Sequence, residues 1–478
     1  MTLRFFDTNK YCRENEKVGP IPNFFKVSKD IMKIVWASML ESLLVAVVTM
    51  FDGIQVANIG NVANAAVTIC KQPYFIMVCI VQSLNVAISA VIARRKGENN
   101  VDGANKTLHL GVCISFVLSI VLSCLFLTFT KPLLLMMNAE ADTLPYATTY
   151  LKILSAGFIF NALALTFNAA QKGVGNTKVS MFSNVVANII NVFLNYCLIN
   201  GNLGFPKLGI AGAAIATIIG QFVGFVISLI AILRQKDFVK FSFKRLFKYN
   251  KEDFRPVFKL LPSILLEQIL MRIGFILFSI IVNKLGTEDT YIHGVCNDIN
   301  LLLFTLADGF AVGTAAIVGH KLGAKRIDLA VVYAKVAMIL SVACGILLCL
   351  VMVFIRKNLI ALYKPDNEYK IQTASNILLI AAGACICQNI QWVNTGILRS
   401  SGDSKFTART SLVSVAIIRP ILAYILIFVL FNHTDSLGNS VKGLGVYGAW
   451  ITQFVDQLLR MTLNLFRFKS RKWTKIKV

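Results

Sequence analysis

The chain has 478 residues, of which 56% are hydrophobic and only 15% charged, with 34 Phe and a mean hydropathy of +0.68. Soluble domains run at roughly 45–50% apolar and about 25% charged, so a soluble enzyme, a coiled coil and a disordered chain are all excluded, and an integral membrane protein is left. The formal charge of +24 sits in short Lys/Arg clusters between apolar runs, the pattern of membrane loops rather than of a nucleic-acid partner.

The first thirty residues are polar and basic without an apolar signal core, so the first apolar run is expected to direct insertion itself. Apolar runs follow at about 32–55, 67–92, 108–131, 147–170, 179–200, 208–233, 259–284, 292–318, 331–355, 371–396, 410–431 and 446–466. Each is long enough to cross the hydrocarbon core, and none shows the alternation of a barrel strand, so each is read as a helix. The fold class is therefore all-α integral membrane, with twelve transmembrane helices. A basic, aromatic stretch between the sixth and seventh runs divides the chain. The expected organisation is a cytoplasmic segment 1–31, an N-lobe 32–234, a linker 235–258 and a C-lobe 259–478 with a basic C-terminus. Lys and Arg number 36 on the side of the termini and linker against 9 on the other, which predicts cytoplasmic termini in a plasma (inner) membrane. Eleven Cys lie in apolar stretches without metal-ligand spacing and read as small buried hydrophobes.

The chain repeats itself. A shift of 226 lays ARRKGENNVDGA (93–104) on GHKLGAKRIDLA (319–330) and Glu41 on Glu267; a shift of 227 lays QKGVGNTK (171–178) on RSSGDSK (399–405). LGIAGAAIATIIGQ (208–221) falls on LGVYGAWITQFVDQ (444–457) at 236. Two copies of a six-helix unit running the same way predict pseudo-symmetric lobes about an axis along the membrane normal, with a cleft between them.

Four carboxylates fall inside apolar runs: Glu41, Asp52, Glu267 and Asp308. Charge at the bilayer centre costs at least ~2.5–3.5 kcal/mol, so each needs a partner, a wet cavity or a proton, and each is a functional candidate. Glu41 and Asp52 are eleven residues apart, which returns to within about 20° of the same helix face at a rise of ~16 Å. Arg272 lies a turn and a half beyond Glu267 and is placed to neutralise it. Asn184, Asn188, Asn191 and Asn195 form one polar stripe on the fifth helix, with Gln82 and Asn85 on the second and Gln388, Gln391 and Asn394 on the tenth as further neutral positions. There is no Walker A, GxSxG or HExxH pattern, so the chain is not read as an enzyme, no cofactor is expected, and any driving energy is expected from an ion gradient.

The Glu-x10-Asp first helix (ESLLVAVVTMFD), IVGHKLGA after the eighth, QKGVGNTKVSMFSNVVANIINVFLNY through the fifth and LGIAGAAIAT into the sixth resemble the MATE (multidrug and toxic compound extrusion) family. The resemblance implies a two-lobed twelve-helix bundle, alternating access, and export of small cationic or amphipathic organic compounds against inward H+ or Na+. It places Asp52 at the family's first-helix acidic position, a cation-coupling candidate, and Asn195 where one branch has a second Asp. Coupling is expected at Asp52 and Glu41, and substrate binding at Glu41, Glu267, Asn195, Gln82 and Asp308, in a chain that works as a monomer. The alternative is a flippase of related architecture for a lipid-linked precursor.

Overall fold

The structure is a computed structural model that describes residues 6–12, 16–57, 59, 61–137, 139–234, 238–242, 251–363, 367–434 and 440–476. Twelve long helices follow the twelve apolar runs: α1 (Phe24–Ala57), α2 (Asn61–Gly97), α3 (Val101–Thr128), α4 (Leu144–Gly173), α5 (Thr177–Asn200), α6 (Ile210–Arg234), α7 (Lys251–Val282), α8 (Thr287–Gly323), α9 (Ile327–Ala361), α10 (Glu368–Ser400), α11 (Ser404–Phe428) and α12 (Gly445–Lys469). Eleven are long and apolar enough to cross a membrane. The remaining one, α12, is 25 residues long but buries Asp456, Gln457, Arg460 and Asn464, so its polarity is spent on contacts inside the protein and lowers its apolar signature. Most helices run a turn or more past the apolar stretch that marks them, because polar residues such as Arg94–Lys96 in the last turn of α2 extend the ladder beyond the lipid-facing part. The same holds for α7, which begins at Lys251.

The described residues form two compact units, one of 40–261 and one of 1–39 with 262–478. In the first, α2 packs on α3 and α4, α4 on α3 and α6, and α5 on α6. In the second, α8 packs on α9 and α10, α10 on α9 and α12, and α11 on α12. The two contact patterns are the same once each helix number is raised by six, so the repeat legible in the sequence is a repeat of packing. The corners repeat as well. Asn99 and Lys325 both adopt positive φ (55° and 57°) between α2–α3 and α8–α9, and Gly175 and Gly402 do so (85° and 89°) between α4–α5 and α10–α11.

Small residues set the closest helix approaches, as expected where lipid tails compete equally for apolar surface. In the second unit Gly309 and Gly313 of α8 meet α1, where a Cβ on Gly309 would stand 2.5 Å from the Ser38 carbonyl oxygen. In the first, Gly212 and Gly220 of α6 meet the carbonyls of Leu198 and Ala187 on α5. α11 is interrupted by a π-helical stretch, Leu412–Ile418, directly before Arg419 and Pro420. A short antiparallel hairpin, Asn432–Thr434 with Ser440–Lys442, joins α11 to α12.

Two segments outside the long helices are pinned by polar contacts. Near the start of the chain, the Tyr11 carbonyl accepts from Lys335 Nζ and Arg471 Nη2 (both 2.9 Å), Arg471 also pairs with Glu16, the Val18 amide donates to Asp328 (3.2 Å), and Tyr333 donates to Asp30 (2.7 Å). Between α6 and α7, the Lys240 amide donates to Asn105 (2.6 Å), the Ser242 amide to His109 Nε2 (2.9 Å), and Phe241 stacks on the His109 ring.

Candidate functional site

Each unit buries an acid on its first long helix. In the first, Glu41 of α1 is 5% exposed, and three donors converge on its Oε1: Lys172 Nζ from the last turn of α4 (2.8 Å), Ser180 Oγ (3.1 Å), and Asn184 Nδ2 from α5. Among the described residues its Oε2 is buried without a hydrogen-bond partner. A second layer holds Asn184 in place. Asn168 Nδ2 donates to Asn184 Oδ1 (3.4 Å), while Ser183 and Ser228 donate to Asn168 Oδ1.

In the second unit, Glu267 of α7 is 2% exposed. Arg399, in the last turn of α10, donates Nε to Oε2 (3.2 Å) and Nη2 to Oε1 (3.0 Å), and Thr407 Oγ1 of α11 donates to Oε2 (2.7 Å). Asp308 of α8 is half-buried and its charge acts on the same Arg399 guanidinium. The ion pair of Glu267 thus comes from the far end of a different helix, whereas the sequence placed Arg272 of its own helix to supply it.

The two clusters are built by the same rule. Lys172 and Arg399 are related by the 227-residue shift, and so are Ser180 and Thr407, while the two acids are related by 226. Each unit therefore joins an acid on its first helix, a cation where its fourth helix ends, and a hydroxyl in the first turn of its fifth. Sequence reasoning found both acids and missed both cations and both hydroxyls. The signal was present in the match of QKGVGNTK with RSSGDSK, which sets Lys172 on Arg399.

The other expected site residues are distributed more widely. Asn195 is buried on α5 at 2% exposure, eleven residues and about 16 Å of helix rise beyond Asn184. Gln82 is exposed on α2; the buried amide of that helix is Asn85, whose Oδ1 accepts from Thr166 (2.9 Å). Asp52 lies within α1, but its side chain is outside the described residues. The stripe on α5 also binds helices together, since Asn191 donates to Thr217 of α6 (3.3 Å). Another buried ionic group, absent from the sequence-derived set of site residues, joins α11 to α12. Asp456 pairs with Arg460 (2.8 Å) and Arg419 (3.8 Å) and accepts from Ser414, while the Arg419 guanidinium lies over Phe278 at 4.3 Å.

Membrane-length helices in two repeated halves, each holding a carboxyl group inside a spanning helix, are an architecture found among transporters. The chain belongs to the MatE family, whose profile matches residues 37–197 and 263–425. It is 26% identical over 450 residues to the uncharacterised transporter YisQ of Bacillus subtilis, covering 93% of this chain and 94% of that one. It is 24% identical over 454 residues to the probable multidrug resistance protein NorM of Thermotoga maritima, covering 94% of each. Its fold matches a structure reported as the outward-facing conformation of a multidrug resistance MATE family transporter, with TM-score 0.84, 18% identity, and coverage of 93% of this chain and 96% of that one.

Proposed function

We propose that the protein is a gradient-driven exporter of small cationic or amphipathic organic compounds, working as a monomer by alternating access in exchange for H+ or Na+, in the plasma membrane with cytoplasmic termini. The observation that carries this reading is Glu41, a carboxylate buried in a spanning helix with one oxygen left unengaged. A carboxylate withdrawn from water is stable only with a proton or a cation beside it. The exchange of one for the other is what couples a cationic substrate to an ion gradient, since proton and substrate exclude each other at a shared acid. In this reading Asp52 and Glu41 serve coupling, and Glu41, Glu267 and Asp308 attract the substrate's charge, with Asn195 and Gln82 as orienting amides. The names of relatives such as NorM support a multidrug role.

The test is ethidium transport in proteoliposomes under an imposed pH or Na+ gradient. Efflux that follows one gradient and is lost in Glu41→Gln supports the reading. Ethidium movement equal in protein-containing and empty vesicles under both gradients overturns it, and movement of a lipid-linked saccharide instead establishes the flippase alternative.

A further inference from the structure

The two acidic clusters follow one plan but are filled differently. Arg399 gives two nitrogens to the two oxygens of Glu267, and Thr407 adds a third bond, so neither oxygen is open. Lys172 donates to Oε1 of Glu41, Ser180 and Asn184 share that oxygen, and among the described residues Oε2 is buried without a hydrogen bond. The chemistry of the two cations sharpens the contrast. A guanidinium is a planar fork matched to a carboxylate's two oxygens, whereas an ammonium is a compact point charge on a flexible four-carbon stem. The Arg399 side chain is 11% exposed and that of Lys172 23%, so the lysine has the shorter way back to water.

The geometry points to Lys172 as an internal stand-in for the transported cation. It fills the Glu41 site in the empty protein, an organic cation reaching Oε2 displaces it, and it returns when the cation leaves. Glu267–Arg399–Thr407 is the more tightly closed counterpart, with both carboxylate oxygens engaged where it fastens α7 to the junction of α10 and α11. Lys172 then sets which cations are accepted, since only one that outcompetes a tethered ammonium can hold the site. This inference rests on the reading of the protein as an exporter of organic cations and adds to it a competitor built into the chain.

The test is equilibrium binding of ethidium to the purified full-length protein, which separates affinity from transport. Lys172→Met removes the competitor, and ethidium affinity is expected to rise by about tenfold or more, the scale of one lost partly buried ion pair. The gain should vanish in the Glu41→Gln, Lys172→Met double variant. Lys172→Arg installs a fork able to fill both oxygens, and affinity is expected to fall by about tenfold; this charge-conserving variant carries the test if Lys172→Met does not fold. Unchanged or weaker binding by Lys172→Met, or wild-type binding by Lys172→Arg, overturns the stand-in role while leaving the exporter reading intact. A wild-type protein that binds no ethidium overturns the exporter reading, and the inference with it.

Discussion

Glu267 and Arg399 form a pair whose members depend on each other. With both oxygens and two guanidinium nitrogens engaged at 2% and 11% side-chain exposure, removing one partner strands a buried charge. Arg399→Met is therefore expected to destabilise the protein by about 3–5 kcal/mol, whereas replacing both by apolar residues should recover most of that loss. Thermal unfolding of the purified single and double variants reads the difference directly. At Asp52 the expectation is functional. Asp52→Asn keeps shape and hydrogen bonding but abolishes titration, so gradient-driven efflux should collapse while the unfolding midpoint stays close to wild type; full efflux at normal expression would remove Asp52 from coupling. The acids were legible in the sequence because a carboxylate in an apolar run stands out and recurs at 226 residues. Their partners were not, because Lys172 and Arg399 lie 131 and 132 residues away, at helix ends where loop lysines and arginines are common. On α2 the same polar signal leads to two environments, an exposed Gln82 and a buried Asn85.

The existence of each long helix was readable, since lipid obliges each apolar run to be a helix, but the ends were not: α1 and α7 each begin eight residues before the apolar run that marks them. What sequence did not show is how closely the helices approach. Gly309 and Gly313 let α8 lie against the backbone of α1 at Val35–Met39, and Gly309→Val, whose Cβ has no room beside Ser38, is expected to cost about 1–3 kcal/mol by overpacking, measured as a lowered unfolding midpoint. The segment before α1 was read as a polar, basic cytoplasmic stretch, and its contacts with Lys335, Arg471 and Asp328 seat Cys12 at 6% exposure. Burial raises the Cys12 thiol above its usual range, and Glu16 beside it adds to the effect. Less thiolate is then present at neutral pH, so maleimide should react slowly with a variant retaining only Cys12, and faster as pH rises. Arg471→Ala, which removes the contacts to Tyr11 and Glu16, should bring the neutral-pH rate up toward that of an exposed cysteine. An unchanged rate would mean that Arg471 does not hold the segment.

At the level of the whole chain, charge and repetition carry separate predictions. The loop count places the Lys244–Arg245 stretch, which lies outside the described residues, with the termini in the cytoplasm. A single Cys at 244 in a Cys-free background should resist an impermeant thiol reagent in intact cells and label after permeabilisation; labelling in intact cells would reverse the assigned direction of export. The repeat was legible because short turn motifs persist where the helices between them have drifted, and the turns persist because a positive φ at Asn99, Lys325, Gly175 and Gly402 leaves little choice of geometry.

The π-helical stretch in α11 is where the two copies part. α5 is α-helical throughout Thr177–Asn200, whereas α11 carries the π-helical stretch within Ser404–Phe428. One extra residue in a helix turns everything after it by about 100°, and a π turn absorbs the insertion without breaking the helix. The proline at 420 sits just beyond, where its ring needs the carbonyl four residues back to tilt away. Arg419 of the buried Arg419–Asp456–Arg460 group and the ring of Pro420 thus lie just beyond a turn already relaxed from α-helical pitch.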